Sequence, residues 1–103
     1  MRIYLISDNI DTHTGLRLVG VDGVVAHTRE EVAAELNKAV KMRDIGIIVI
    51  MEKLAQQFPD LVNEVKNARG MPLIVEIPDR HGTQRQKDFL SRYVREAIGV
   101  KMG

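Results

Sequence analysis

Short apolar runs alternate with longer segments of mixed polarity along the whole chain. Four of these runs, at 3–6, 24–26, 45–50 and 73–77, have the length and composition of single β-strands. The third run is apolar on both of its faces, which is typical of a strand inside a parallel sheet. Pro78 ends the fourth run, because proline has no backbone N–H and cannot extend a central strand.

The segments between these runs show the spacing of amphipathic helices. In the first segment, 12–19, Leu16 and Val19 lie three positions apart on one face. The second segment begins with a capping-box pattern, in which Glu31 follows Thr28 by three positions. Its apolar stripe is predicted to face the core and consists of Val32, Ala33, Leu36, Ala39 and Val40.

The third helical segment, 52–69, is interrupted at Pro59 and precedes Gly70, which we expect to supply its C-terminal cap. A fourth helix is predicted from 83 to the end of the chain, where Thr83 opens a second capping-box pattern. Strict alternation of strands and helices indicates parallel strands joined by right-handed crossovers.

The predicted fold class is therefore α/β, with a four-stranded parallel sheet, helices on both faces and a C-terminal helix. This is a half-size doubly wound arrangement. We expect 1–82 to form the α/β domain and 83–103 to form a C-terminal partner-docking helix.

Composition narrows the possible functions. The 103 residues suffice for one domain, and the absence of Cys excludes disulfides, thiolate zinc sites and cysteine nucleophiles. No apolar run approaches the roughly 20 residues that span a bilayer, and the N-terminus enters a strand without signal-peptide features. A net charge of +1 gives no bulk attraction to nucleic acid or membranes. We therefore expect a cytoplasmic protein without a direct membrane span.

The charge is unevenly distributed along the chain. Residues 83–103 contain five basic and two acidic residues, a net charge of +3, whereas 1–82 contain ten basic and twelve acidic residues, a net charge of −2. A basic C-terminal segment is either a solvated helix face or a face that meets an acidic partner.

Acidic residues follow the first strand, at the edge where α/β proteins bind ligands. Asp8 and Asp11 could hold Mg²⁺, as in response-regulator receiver domains. That family also needs an Asp at the end of the third strand, where this chain has Met51 and Glu52, and a lysine on a fifth strand that is not predicted here. Helix capping and turn formation are the simpler explanation for both aspartates.

Other catalytic patterns are missing from the sequence. The glycines form neither a G-x-G-x-x-G motif nor a P-loop, and no serine has a G-x-S-x-G context. His13, His27 and His81 lack metal-ligand spacing. We therefore expect no catalytic residues, no bound metal and no cofactor. The alternative is a receiver-like small regulatory domain that binds a metal or a small ligand.

The C-terminal helix and the polar turn before it, 79–82, are the better candidates for a functional surface. Phe89, Tyr93 and Ala97 repeat at every fourth position, as do Leu90, Val94 and Ile98, and together they form a wide apolar stripe on a basic helix. The predicted partner-binding residues are Pro78, Arg80, His81, Arg85, Phe89, Leu90, Arg92, Tyr93, Val94 and Ala97. Some apolar members of this set must also face the core of the domain.

Several stretches resemble the F subunit of the V-type (vacuolar and archaeal-type) rotary ATPases over essentially the whole chain. They are 3–9 with 14–20, 44–53 and 72–79. The most specific pieces are the Asp-x-x-Thr-Gly-Leu connection, which runs from Asp11 to Leu16, and the strand that ends in Ile-Pro at Pro78. Met1 and the 79–82 turn are similar to the bacterial branch of this family.

This resemblance implies a four-stranded parallel α/β domain with a C-terminal helix that hydrolyses nothing itself. It implies a rotor subunit of the central stalk that binds the D subunit, a long coiled coil. The catalytic A/B ring and the subunit that connects to the membrane rotor would lie nearby. It further implies a peripheral position on the cytoplasmic side of the membrane and a role in coupling ATP hydrolysis to ion transport.

Overall fold

A computed structural model of the chain describes residues 2–68, 70, 72–78 and 92. The described elements alternate as predicted, and all four strands are parallel. In chain order they are β1 (Arg2–Ser7), α1 (Ile10–Leu18), β2 (Asp22–Val25), α2 (Arg29–Lys41), β3 (Ile45–Met51), α3 (Glu52–Gln57), α4 (Pro59–Asn67) and β4 (Leu73–Ile77). The strand order is β2-β1-β3-β4, so the direction of winding reverses at β1. The predicted α/β class, with its four-stranded parallel sheet and helices on both faces, is confirmed. The predicted C-terminal helix, 83–103, and its boundary with 1–82 lie outside the described residues apart from Arg92, and they stay predictions.

Each face of the sheet carries its own apolar cluster. On one face, α2, α3 and α4 pack against β1 and β3, and the buried helix side chains include Leu36, Leu54 and Val62. On the other face, Leu16 of α1 packs with residues of β1, β3 and β4. All seven residues of β3 are buried, which confirms the prediction of a strand covered on both faces.

Helix α1 begins two residues earlier than predicted, because Asn9 caps it. The Asn9 side chain accepts hydrogen bonds from the backbone N–H groups of Asp11 (2.8 Å) and Thr12 (3.2 Å). The prediction that Leu16 is buried is confirmed, but the prediction that Val19 shares its buried face is wrong, because Val19 is the C-cap residue and is 43% exposed.

Val21, rather than Val19, packs in the core, because a glycine turn follows α1. Gly20 has a φ of +91°, and its N–H donates to the carbonyl of Arg17 at 3.1 Å. The N–H of Val21 donates to the carbonyl of Leu16 at 2.9 Å, which completes a Schellman motif. Val21 is thereby brought into the same apolar cluster as Leu16.

Helix α2 begins with the predicted capping box. The Thr28 side chain accepts from the Glu31 N–H at 3.2 Å, and the Glu31 carboxylate accepts from the Thr28 N–H at 3.1 Å. The latter bond is the main reason that the pKa of Glu31 lies below its usual value. The buried part of the apolar stripe is narrower than predicted, because Val40 is 47% exposed, whereas Val32, Leu36 and Ala39 are buried.

The break at Pro59 is confirmed. Pro59 occupies the first position of α4, where its missing N–H costs no helical hydrogen bond. Helix α4 ends at Asn67, and its C-cap is Ala68 rather than Gly70. Gly70 lies two residues beyond the cap with a φ of +88°, a conformation that glycine adopts without strain.

Candidate functional site

The structure locates two of the ten predicted partner-binding residues. Pro78 is half-buried and follows β4 directly, as predicted, and Arg92 is exposed. The other eight lie outside the described residues: Arg80, His81, Arg85, Phe89, Leu90, Tyr93, Val94 and Ala97. Their role in partner binding stays a prediction.

The positions of the helices change one premise of that prediction. The whole apolar stripe of 83–103 would be free for a partner only if the three crossover segments already covered both faces of the sheet. Among the described elements, α2, α3 and α4 share one face, whereas α1 lies on the other face, over β1 and β2. The apolar stripe predicted for 83–103 therefore has two possible uses, its own sheet and a partner.

The carboxyl edge of β1 was the other candidate site, and its polar side chains stabilise the turn from β1 into α1. Ser7 is fully buried, its hydroxyl donates to the carbonyl of Asn9, and it accepts from the Asn9 N–H, both at 2.9 Å. The Asn9 side chain caps α1, as described above. Asp11 is exposed in the first turn of that helix, where a negative charge is favourable.

Among the described carboxylates at this edge, Asp8 has a largely buried side chain. Its exposed fraction is 14%, and its Oδ2 lies 3.6 Å from Nζ of Lys53, which follows β3. Its Oδ1 is buried and has no hydrogen-bond partner among the described residues. Among the described residues, no three metal-ligating side chains come together as a group that could hold a metal ion. Asp8 is therefore paired with a lysine of α3, the helix that directly follows β3.

His13 lies against the outer edge of the sheet. Its Nε2 is 3.0 Å from the carbonyl oxygen of Gly23, so this nitrogen carries the proton and donates. The backbone N–H of Ala26 donates to the carbonyl of Ser7 in β1. Because the backbone groups of successive residues point to opposite sides of a strand, those of Gly23 point to the edge of β2 that faces away from β1. The bond between His13 and Gly23 satisfies one carbonyl on that edge, so His13 has a structural role.

A groove with a mainly apolar lining lies between α2 and α4. It has a volume of about 320 Å³. The apolar side chains that line it are Ala33, Leu36 and Val40 of α2, Leu61 and Val65 of α4, and Ala68 and Pro72 beyond that helix. Leu36 is 3% exposed and forms part of the floor, whereas Val40 at the mouth is half-exposed.

An ion pair joins the N-terminal ends of the two helices that form this groove. Arg29 and Asp60 make two hydrogen bonds, one of which joins Nη1 to Oδ1 at 3.1 Å. The pair lowers the pKa of the Asp60 carboxyl and raises the pKa of the Arg29 guanidinium. Because both side chains are exposed, the contact fixes geometry more than it contributes stability.

Sequence reasoning missed both the groove and the ion pair across its end. The α2 stripe did contain a sign of the groove, because it includes Val40, which the sheet does not cover. The partner of Arg29 could not be identified from the sequence, because Asp60 is 31 positions away and on another helix.

Within the described part of the chain, no helix is long and apolar enough to cross a membrane.

Comparisons with known proteins agree with one another. The family described as ATP synthase (F/14-kDa) subunit matches residues 3–94. The F subunit of the A-type ATP synthase from Pyrococcus furiosus is 36% identical over 107 residues, which cover 99% of this chain and 98% of that protein. Proteins of the same name from Pyrococcus abyssi and Methanocaldococcus jannaschii are 34% and 31% identical, and each match covers 99% of this chain.

Proposed function

The chain belongs to the ATP synthase (F/14-kDa) subunit family, and from this premise we propose that it is a non-catalytic central-stalk subunit of a V-type rotary ATPase. The observation that carries the proposal is similarity from end to end. The matched relatives are covered almost completely, so the similarity extends over their whole length. Each of those relatives is itself named as a subunit of an ATP synthase.

The proposed role is that of a rotor element that binds the coiled-coil D subunit and couples ATP hydrolysis to ion transport. In this proposal the chain hydrolyses nothing, lies on the cytoplasmic side of the membrane, and has the A/B ring and the connecting subunit nearby. The carboxyl edge of β1 supports this reading over a receiver-like domain, because Asp8 faces Lys53 and Asn9 caps a helix. Magnesium titration separates the two functions: saturable binding that is lost in Asp8→Ala would favour the receiver-like domain.

The proposed contact with the coiled-coil D subunit lies in the segment after β4. We expect Phe89 and Tyr93 to be apolar anchors, since truncating a buried interface aromatic typically costs about 2 kcal/mol or more in binding. The double variant Phe89→Ala, Tyr93→Ala should therefore bind the purified coiled-coil partner at least about 30-fold more weakly than the wild type. Leu18→Ala, which truncates a 68% exposed side chain on α1, is the control and should bind normally. Undiminished binding by a folded double variant would place the interface elsewhere.

The basic residues around this segment should influence how fast the two proteins meet. A rim charge changes the association rate and its salt dependence more than the affinity. We expect association with the coiled-coil D subunit to slow as salt rises, and Arg80→Ala to weaken that dependence. Arg17→Ala, which removes an exposed charge from α1, is the matched control. An association rate that responds neither to salt nor to Arg80→Ala would leave the 79–82 turn without a role in binding.

A further inference from the structure

The groove between α2 and α4 has apolar surface that the described residues leave partly uncovered. The sheet does not cover the whole apolar stripe of α2, and Val40 is left 47% exposed. Leu61 and Val65 on the facing side of α4 are only partly buried, and Ala68 after that helix is exposed. Two incompletely covered apolar stripes therefore converge on one groove of about 320 Å³. A third helix could lie between them and bury both, as amphipathic helices do in apolar grooves.

The charges around the groove specify what kind of helix fits. Glu64 lines the groove, and Glu30 lies one turn before Ala33, on the same side of α2. Both carboxylates are exposed, and neither forms an ion pair within the described part of the chain. Lys41, one turn after Asn37, brings a positive charge to the opposite end. A helix with basic residues near the two glutamates and an acidic residue near Lys41 would complement the groove in one orientation.

We propose that this groove is a second docking site, occupied in the assembled ATPase by an amphipathic helix of another subunit. Its apolar stripe would contact Val40, Leu61 and Val65, and its basic flank would face Glu64. The proposal rests on the proposed function, because it requires that the chain work inside a complex. It concerns residues of α2 and α4, rather than the residues of 83–103 to which the first docking proposal applies.

The absence of cysteine from the chain allows a direct test. A single cysteine is introduced as Val40→Cys or, as a control on the opposite face of the sheet, as Leu18→Cys. The rate of maleimide labelling is measured in the isolated chain and in the purified ATPase complex. We expect the complex to slow labelling at position 40 about tenfold or more, because interface cores exclude water and reagents. The Leu18→Cys rate shows how far the complex slows labelling in general.

A photoreactive maleimide on Val40→Cys then identifies the occupant. The proposal predicts a cross-link to another subunit, within a helix that carries an apolar stripe and a flanking Lys or Arg. A cross-link to this chain's own residues or to a second copy would overturn it, and so would labelling at position 40 that stays as fast as in the isolated chain. Presence of the wild-type chain in the purified complex tests the proposed function separately, so the two ideas can fail independently.

Charge reversal gives a second, independent readout. Glu64→Lys should speed dissociation of the chain from the complex about tenfold, because like charges would then face each other across the groove. Glu52→Lys makes the same change at an exposed position of α3, outside the groove, and should leave the dissociation rate unchanged. Equal rates for Glu64→Lys and the wild type would contradict the charge match on which the choice of a basic helix rests.

Discussion

Two leucines on α1 give a matched test of how this short helix is held to the sheet. Leu16 is fully buried, and it is the large apolar side chain through which α1 joins the apolar cluster on its face of the sheet. Leu18 is two positions away on the same helix and is 68% exposed. The substitutions Leu16→Ala and Leu18→Ala therefore change the same atoms in the same element, and the difference between them isolates burial.

The expected cost follows from the atoms removed. Leucine to alanine deletes about three carbon groups, which at about 0.8 kcal/mol each amounts to about 2.4 kcal/mol of lost transfer free energy. The cavity left between the helix and the strands adds to this, so we expect Leu16→Ala to lower the free energy of unfolding by about 3 kcal/mol. Leu18→Ala should stay within about 0.5 kcal/mol of the wild type, as surface substitutions usually do.

Urea denaturation followed by circular dichroism measures both free energies on the same protein. In a domain of this size, about 3 kcal/mol corresponds to a fall in Tm of about 12 °C or more. The reasoning would be refuted if the two variants were equally stable, or if Leu18→Ala were the more damaging of the two. Either result would mean that α1 does not pack on the sheet through Leu16.

Three further predictions concern single contacts. Burial and the hydrogen bond to Glu35 raise the pKa of Tyr4 to about 12. In the unfolded chain this tyrosine loses its proton at about pH 10. The stability that the folded state gains by holding the proton is complete below that pH, and it should be lost as the pH rises toward about 12. Tyr4→Phe should show a flatter stability profile in this range, and identical profiles would contradict the assignment. Thr28→Ala removes the cap of α2 and should cost about 1 kcal/mol in thermal or urea unfolding, whereas Thr28→Ser should restore most of it; equal stability of the two variants would refute the capping role. A Cβ on Gly23 would lie 2.4 Å from the carbonyl oxygen of Leu5 and 2.6 Å from its Cβ. Gly23→Ala should therefore push β2 away from β1 and lower the urea midpoint by the equivalent of about 1–3 kcal/mol, and an unchanged midpoint would show that the edge strand yields freely.

Features that depend on neighbours along the chain could be predicted from the sequence. The capping box at Thr28, the break at Pro59 and the continuous burial of β3 all follow from local chemistry, and each is confirmed. Burial at the ends of helices could not be predicted as well. Val19 and Val40 fit their helical stripes, but one lies in a turn and the other lies beyond the reach of the sheet.

The candidate sites differ in how far they depend on residues that are neighbours in the sequence. The sequence placed Asp8 at the carboxyl edge, because this residue follows the first predicted strand closely. It could not show that Lys53 approaches Asp8, since that contact depends on β1 and β3 being neighbours in the sheet. For the same reason the groove between α2 and α4 emerges only when the crossover helices are placed side by side.

The central claim is that this chain works as a subunit of a rotary ATPase, and native mass spectrometry tests it most directly. The chain would carry an affinity tag, be expressed at its natural level and be purified without denaturant. The account predicts one copy of the chain in an assembly that contains the coiled-coil D subunit and the catalytic subunits. Recovery of the chain alone, at the mass of its monomer, would contradict it.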